Sequence, residues 1–176
     1  MKNNVLFSTA TLAASVLAAG LLLSVKPASA QTAINPLLPV KNTKEIQLSG
    51  NFQFDPENNI DLTVGYGIFL SPNLEVGGLF EYANPEGGDS QYGLTGFADY
   101  HFPSESALLP FVGVQLGFAD AGGDSDNYFR YGLRGGVKYF LNQNVSANAI
   151  LQYSDTDQEN SESDFRLNLG LSVYLR

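Results

Sequence analysis

The chain has 176 residues and no cysteine, and it carries 9 Lys and Arg against 18 Asp and Glu, which gives a formal net charge of −9 at pH 7. This length suits one ordinary domain, and the lack of cysteine excludes a disulfide framework and thiolate chemistry. The single histidine excludes a multi-histidine metal site within one chain. The acidic balance argues against nucleic acid as a partner, because binding to phosphates requires basic surfaces.

The N-terminus has the pattern of a secretory signal peptide. Lys2 gives the charged start, a mostly apolar run covers residues 5–25, and Ala-Ser-Ala at 28–30 forms a small-residue cleavage site. We predict that residues 1–30 are the signal peptide and that residues 31–43 form a periplasmic lead-in or linker. A retained membrane anchor is the alternative, because the apolar run approaches the length of a spanning helix.

From Lys44 onward, apolar and polar residues alternate with a period of two, which predicts strands because successive side chains of a strand point to opposite faces. Each segment has roughly ten residues, the length that a tilted transmembrane strand needs. No apolar run in this region reaches the length of a spanning helix, so any membrane insertion has to occur through strands. The predicted segments are residues 44–55, 59–70, 74–83, 91–102, 109–119, 129–141, 145–154 and 165–176.

The segment 129–141 shows the pattern most clearly. One of its faces is apolar, with aromatic residues near both ends, while the other carries Arg130, Arg134 and Lys138 separated by glycines. Three cations cannot stack in a dry core without partners. They can line a polar lumen whose outer wall touches lipid, which is the pattern of a transmembrane β-barrel strand.

The charges on the polar face sort by segment. The acids lie on the first four segments, and the cations lie on the sixth and the eighth. Closing the sheet would bring the two sets face to face across the lumen, where they can pair and leave no buried charge uncompensated. The predicted lumen charge network consists of Glu45, Asp61, Glu75, Glu81, Asp99, Arg130, Arg134, Lys138 and Arg166.

Two kinds of barrel fit a period of two. A soluble ligand carrier buries its apolar face, whereas a membrane barrel turns that face outward. Glycines on the polar face suit a narrow interior, and aromatic residues near the segment ends match interfacial girdles. We therefore predict an all-β fold over residues 44–176, an eight-stranded antiparallel up-and-down transmembrane β-barrel. A soluble secreted barrel that binds an apolar ligand is an alternative.

The connections alternate in length. Residues 71–73 and 142–144 are tight, whereas residues 84–90, 120–127 and 155–164 are longer, polar and acidic. Two connections are exceptions: residues 56–58 are short, and residues 103–108 are longer than a tight turn. Since outer-membrane barrels have short periplasmic turns and longer outer loops, this pattern places the acidic loops outside the cell. Divalent cations are a candidate partner there, although the spacing does not match an EF-hand and a solvated anionic surface is the simpler interpretation. The acids concerned are Asp120, Asp124, Asp126, Asp155, Asp157, Glu159, Glu162 and Asp164.

Three stretches resemble small outer-membrane β-barrel proteins: LLPFVGVQLGFA, YGLRGGVKYFLNQNVSANAILQY and the closing LNLGLSVYLR. The resemblance covers residues 44–176. It implies an eight-stranded barrel that lies in outer-membrane lipid and is inserted by the barrel assembly machinery. The family usually ends on an aromatic residue, whereas this chain ends Tyr174-Leu175-Arg176. The usual terminal insertion signal is therefore altered here.

His101 is the most evident candidate for catalysis; an acid/base pair among the lumen carboxylates is a second possibility, but pairing with the lumen cations is the simpler interpretation. Asp99 lies on the same face, and Ser104 and Ser106 follow, so a His–Ser–acid set that cleaves lipid esters is conceivable. His101 falls at the predicted periplasmic end of its segment, which favours a lumen-rim histidine near Asp99 instead. We predict no catalytic, cofactor-binding or metal-binding residues, and hence no enzyme.

The predicted function is a structural role in the outer membrane, or an interaction through the acidic outer loops. A barrel of eight strands leaves an interior that side chains largely fill, and the charge network would occupy it. A narrow ion-conducting pore is the alternative within the same fold. The residues do not identify a ligand or a partner protein.

Overall fold

The computed structural model describes residues 35–53, 59–84, 90–120, 127–157 and 164–176. The strand bounds differ from the predicted segments by at most two residues. The predictions for residues 1–30, for the link at 56–58, and for Asp124, Asp126, Glu159 and Glu162 lie outside the described residues. The strands are β1 (Lys44–Gln53), β2 (Asn59–Ser71), β3 (Leu74–Asn84), β4 (Gln91–His101), β5 (Leu108–Asp120), β6 (Asn127–Asn142), β7 (Val145–Thr156) and β8 (Asp164–Leu175).

Each strand pairs antiparallel with the next one in the chain, and the pairing of β1 with β8 closes the sheet. In the closing pair, Lys44 lies opposite Leu175 and Gly50 lies opposite Leu169. The predicted eight-stranded antiparallel up-and-down barrel is therefore confirmed. Within the described ranges, no helix is long and apolar enough to cross a bilayer.

The apolar face of the sheet points outward. Val64, Leu133 and Leu169 are 43%, 49% and 61% exposed, whereas Arg134 is 3% exposed. An apolar surface that surrounds the molecule requires lipid rather than water. This orientation is the reverse of a soluble ligand carrier, so the alternative of a soluble barrel is wrong.

The barrel has two different ends. The end that we call the termini end holds the start of β1, the end of β8, the tight turns at 72–73 and 143–144, and the link at 102–107. The opposite end, which we call the loop end, holds the other connections, most of which fall outside the described residues.

The lumen contains a small apolar core near the termini end. Phe69, Leu109, Phe140 and Tyr174 are each at most 2% exposed and pack together, and Leu37, Leu38 and Ala107 pack against them. We call these seven residues the apolar plug. They close the lumen because aromatic rings from β2, β6 and β8 meet at the same level.

Candidate functional site: the charged lumen

Lys138 occupies the centre of the densest charge cluster, next to the apolar plug. Its Nζ donates hydrogen bonds to Glu45 Oε2 at 2.5 Å and to Glu75 Oε2 at 2.9 Å. His101 Nε2 lies 3.0 Å from the same oxygen of Glu75. None of these four side chains is more than 1% exposed. Water therefore does not screen their charges, and each charge depends on its partners in the protein.

From Glu45 on β1, hydrogen bonds between neutral side chains continue along the neighbouring strands β8 and β7. Ser172 Oγ donates to Glu45 Oε1 at 2.6 Å and accepts from Asn148 Nδ2 at 2.6 Å. Ser146 Oγ donates to Asn148 Oδ1 at 2.7 Å and lies 3.0 Å from the Tyr174 hydroxyl. Glu45 is thus held in one orientation by groups from β6, β7 and β8, as buried polar groups require.

Two glycines make room for the carboxylates. A Cβ on Gly67 would overlap Glu75 Oε1, and a Cβ on Gly113 would overlap Asp99 Oδ1. Larger residues at these positions would push the acids out of place. This steric need explains why glycine stands at these two positions on the polar face.

Arg134 and Asp99 form a second level, further from the termini end. Arg134 Nε lies 3.4 Å from Asp99 Oδ1, and both side chains are fully buried. The guanidinium also lies over the ring of Phe97, with its Cζ 4.3 Å from the ring centroid, in a cation–π contact.

This second level has unmet hydrogen-bonding capacity. Among the described residues, both oxygens of Asp99, all three side-chain nitrogens of Arg134 and Nδ1 of His101 have no hydrogen-bond partner. Buried polar atoms without partners are rare and are usually satisfied by ordered water. The polar groups here therefore differ from the fully bonded set around Glu45.

Arg130 and Glu81 form the third level, toward the loop end. Arg130 Nη2 donates to Glu81 Oε2 and, at 3.0 Å, to Thr95 Oγ1. The Thr95 hydroxyl in turn donates to Glu81 Oε2 at 3.0 Å. The three groups form a closed triangle in which the ion pair is supported by a neutral hydroxyl.

Two residues of the predicted network do not join these levels. Arg166 pairs with Asp164 on its own strand, where the two side chains are 33% and 40% exposed. Asp61 is half-buried and forms no ion pair with any residue in the described part of the chain. Both lie near the loop end of their strands, where solvent can hydrate a charge and a partner across the lumen is not needed.

His101 is buried rather than exposed at a rim. It is 0% exposed, and its ring contacts the rings of Phe69 and Phe111 at centroid distances of 4.9 and 5.4 Å. Ser104 and Ser106 hydrogen-bond to each other in the exposed link instead. The conceivable His–Ser–acid set is therefore not assembled, because His101 takes Glu75 as its partner.

The lead-in closes the termini end over the apolar plug. Arg176 donates to the backbone oxygens of Pro36 at 3.1 Å and of Leu37 at 2.5 Å. Asn35 Nδ2 donates to Ser106 O at 2.9 Å. Partial burial lowers the pKa of Arg176 below its ordinary value, yet a guanidinium stays protonated at any physiological pH. The unusual C-terminal residue thus fastens the lead-in.

Sequence reasoning missed the apolar plug, although a signal was present. Phe69, Phe140 and Tyr174 interrupt the polar face, and each does so at the termini end of its strand. Aromatic residues that break a polar face at one common end indicate a layer that fills the lumen there. Leu37 and Leu38 gave no such signal, because apolar and polar residues do not alternate regularly in the lead-in.

One group in the lumen has the composition of a metal site. One ligand atom from each of Glu75, Asp99 and His101 can be chosen so that all lie within 4.8 Å of one another. Carboxylate and imidazole ligands of this kind suit zinc. Lys138 and Arg134 already neutralise the same carboxylates, however, and they oppose the entry of a dication.

Comparisons with known proteins agree with this architecture. The family model described as outer membrane protein β-barrel domain matches residues 8–174. No curated protein matches the sequence significantly.

Solved structures with the same fold share little sequence with this chain. The N-terminal β-barrel domain of OprF from Pseudomonas aeruginosa is 20% identical, with a TM-score of 0.59, covering 78% of this chain and 100% of that domain. Neisserial surface protein A is 17% identical, with a TM-score of 0.55, covering 76% and 94%. OprG from Pseudomonas aeruginosa is 11% identical, with a TM-score of 0.54, covering 79% and 98%. At identities this low, the similarity to these structures shows the fold alone and not a shared activity.

Proposed function

Since this chain belongs to the outer-membrane protein β-barrel family, we propose that it has a structural or surface-interaction role in the cell outer membrane. The observation that carries the proposal is the closed lumen. The apolar plug and the levels of Lys138, Arg134 and Arg130 follow one another along the barrel axis, each built from buried side chains. An interior filled in this way leaves the loop end as the surface through which a partner can bind.

The proposal assigns the termini end to the periplasm and the loop end to the cell exterior, as in barrels with short periplasmic turns. Asp155, Asp157 and Asp164 then border an acidic outer surface. Such a surface attracts cationic partners, including divalent cations. The apolar wall contacts outer-membrane lipid, and the barrel assembly machinery inserts the chain. An enzymatic role is not part of the proposal, because Ser104 and Ser106 hydrogen-bond to each other in the exposed link while His101 is buried.

Planar-bilayer recording tests the closed lumen. The protein, extracted from outer membranes in detergent, is added to a bilayer at neutral pH, and a known channel added afterwards verifies detection. A filled lumen should give no stable conductance steps. Regular steps of one size would support the narrow pore and would overturn the proposal.

Cysteine labelling tests the orientation, because the chain has no cysteine of its own. Asp157→Cys places a thiol at the exposed loop end, and Gln143→Cys places one in an exposed turn at the termini end. A membrane-impermeant maleimide should label Asp157→Cys in intact cells and Gln143→Cys only after the outer membrane is disrupted. The opposite result would place the acidic surface in the periplasm and would remove the proposed interaction.

A further inference from the structure

The charges in the half of the lumen nearest the termini end do not balance. The titratable and charged residues that meet there, which we call the lower-lumen cluster, are Glu45, Glu75, Asp99, His101, Arg134 and Lys138. When the carboxyl groups are ionised and the imidazole is neutral, three negative charges face two positive ones. Each of these side chains is at most 3% exposed, so one negative charge is left without compensation.

No other described group supplies the missing charge. Arg130 is paired with Glu81, and Arg166 is paired with Asp164. The further titratable group that contacts the cluster is Tyr174, from β8, and a phenol is neutral at pH 7. Toward the lumen, the described parts of β2, β5 and β7 present apolar side chains, glycines and neutral polar groups here. An uncompensated buried charge is strongly unfavourable.

We infer that the lower-lumen cluster is a binding site for a single proton, which it holds at neutral pH. This proton brings the cluster to zero net charge. Because the groups are strongly coupled, the proton belongs to the cluster as a whole rather than to one residue. The inference goes beyond the proposed role of the barrel, because the buried charges of the cluster have to be balanced whether the lumen is filled or conducts ions.

The geometry around His101 supports a bound proton. With Nε2 donating to Glu75, a second proton on Nδ1 would turn an acceptor that has no partner into a donor. Asp99 offers two oxygens that also have no partner, and an oxygen of Asp99 lies within 4.8 Å of a ring nitrogen of His101. The rings of Phe69 and Phe111 lie 4.9 and 5.4 Å from the imidazole between centroids, and aromatic rings at such distances attract a cation.

A dication fits the same site less well. It would change the net charge of the cluster from minus one to plus one, whereas a proton changes it to zero. Lys138 also occupies Glu75 Oε2, one of the oxygens that a metal would need. The proton is therefore the better ligand, and a metal is one outcome of the test.

The bound proton makes stability depend on pH. In the unfolded chain, carboxyl groups titrate near pH 4 and histidine near pH 6.5. Above about pH 7, the folded state then binds one more proton than the unfolded state, and stability falls as pH rises. The folding equilibrium constant should decrease by about tenfold per pH unit, until the cluster releases its proton. Below pH 6.5 both states hold the proton, and this dependence disappears.

The test is urea unfolding of the detergent-extracted protein between pH 7 and 9, followed by heat-modifiable gel mobility. The wild type should show the tenfold change per pH unit. In Glu75→Gln the two remaining carboxylates balance the two cations, so the cluster is neutral without a proton. The pH dependence of unfolding should therefore vanish, although His101 is still present. Asp99→Asn also removes one negative charge from the cluster, and it serves as the test variant if Glu75→Gln does not fold. Glu105→Gln, in the exposed link, should keep the wild-type dependence.

Several results would overturn the inference. One is a wild type whose equilibrium constant does not change with pH, and another is a dependence that persists when Glu75 or Asp99 is neutralised. Loss of the dependence in Glu105→Gln would assign it to surface charge. Stabilisation of the wild type by micromolar Zn²⁺ at pH 7, absent in His101→Gln, would show that the site takes a metal instead of a proton.

Discussion

Replacement of Lys138 by methionine should be among the most destabilising single changes in the lumen. The substitution keeps the length of the side chain and removes the ammonium group that bonds Glu45 and Glu75. Both carboxylates are 1% exposed, so water does not replace the lost partner. Removing one member of a buried pair costs about 3–5 kcal/mol. Since two acids lose their cation here, we expect the free energy of unfolding to fall by at least about 3 kcal/mol.

Arg166→Met is the matched control. It removes a cation from another inward-facing position of the same barrel, but the side chains of this pair are 33% and 40% exposed. Exposed pairs contribute about 0–1 kcal/mol because water screens and solvates them. Urea unfolding in lipid vesicles, at one pH and one lipid composition, should therefore separate the two variants by at least about 2 kcal/mol.

A double variant identifies the cause of the loss. Lys138→Met combined with Glu45→Gln removes one of the two charges left unpaired, and the glutamine amide can still accept from Ser172. We expect the double variant to recover about 1 kcal/mol or more relative to Lys138→Met alone. If Lys138→Met cost no more than Arg166→Met and the double variant recovered nothing, bulk water would reach Glu45 and Glu75, and the assumption that their surroundings have a low dielectric constant would be refuted.

Three further changes test other parts of the lumen. Gly113→Ala should cost about 1–3 kcal/mol by urea unfolding because its methyl group would overlap Asp99. Gly96→Ala, whose nearest contact would be 3.8 Å away, should cost about 0.5 kcal/mol or less, and equal costs would contradict the steric argument. Arg176→Ala should let a protease cleave the lead-in faster while the barrel keeps its heat-modifiable mobility, whereas unchanged cleavage would show that the lead-in is held by its apolar contacts. Tyr174→Phe should cost about 1 kcal/mol for one buried hydrogen bond, and a cost above about 3 kcal/mol would mean that the ring has moved.

The sequence alone was sufficient to predict the strands and to predict which face of each strand points toward lipid. The period of two is a local property, and a strand with Arg134 on one face and Leu133 on the other has only one orientation that suits lipid. The same reasoning predicted that acids would lie opposite cations. It depended on the alternation along each strand and not on which strand pairs with which.

The particular partners were not predictable in the same way. Lys138 meets Glu45 across 93 residues of chain, and their meeting depends on how far each strand is staggered around the barrel. A shift in stagger would have paired Lys138 with a different acid while leaving every strand prediction intact. His101 was misplaced for a related reason, because its burial depends on the lead-in and the apolar plug, which come from distant parts of the chain.

The arrangement of charges also fixes the register of β6. Arg130, Arg134 and Lys138 are spaced by four residues, so all three point into the lumen at successive levels, about 13 Å apart. Opposite them, β2 presents Gly67, which leaves room for the side chain of Glu75 from β3. A slip of β6 by one residue would turn all three cations toward lipid, at a cost of about 2–4 kcal/mol for each one near the bilayer midplane. The ion pairs therefore contribute more to specifying one closed barrel than to its net stability, since their attraction largely offsets the cost of burying the charges.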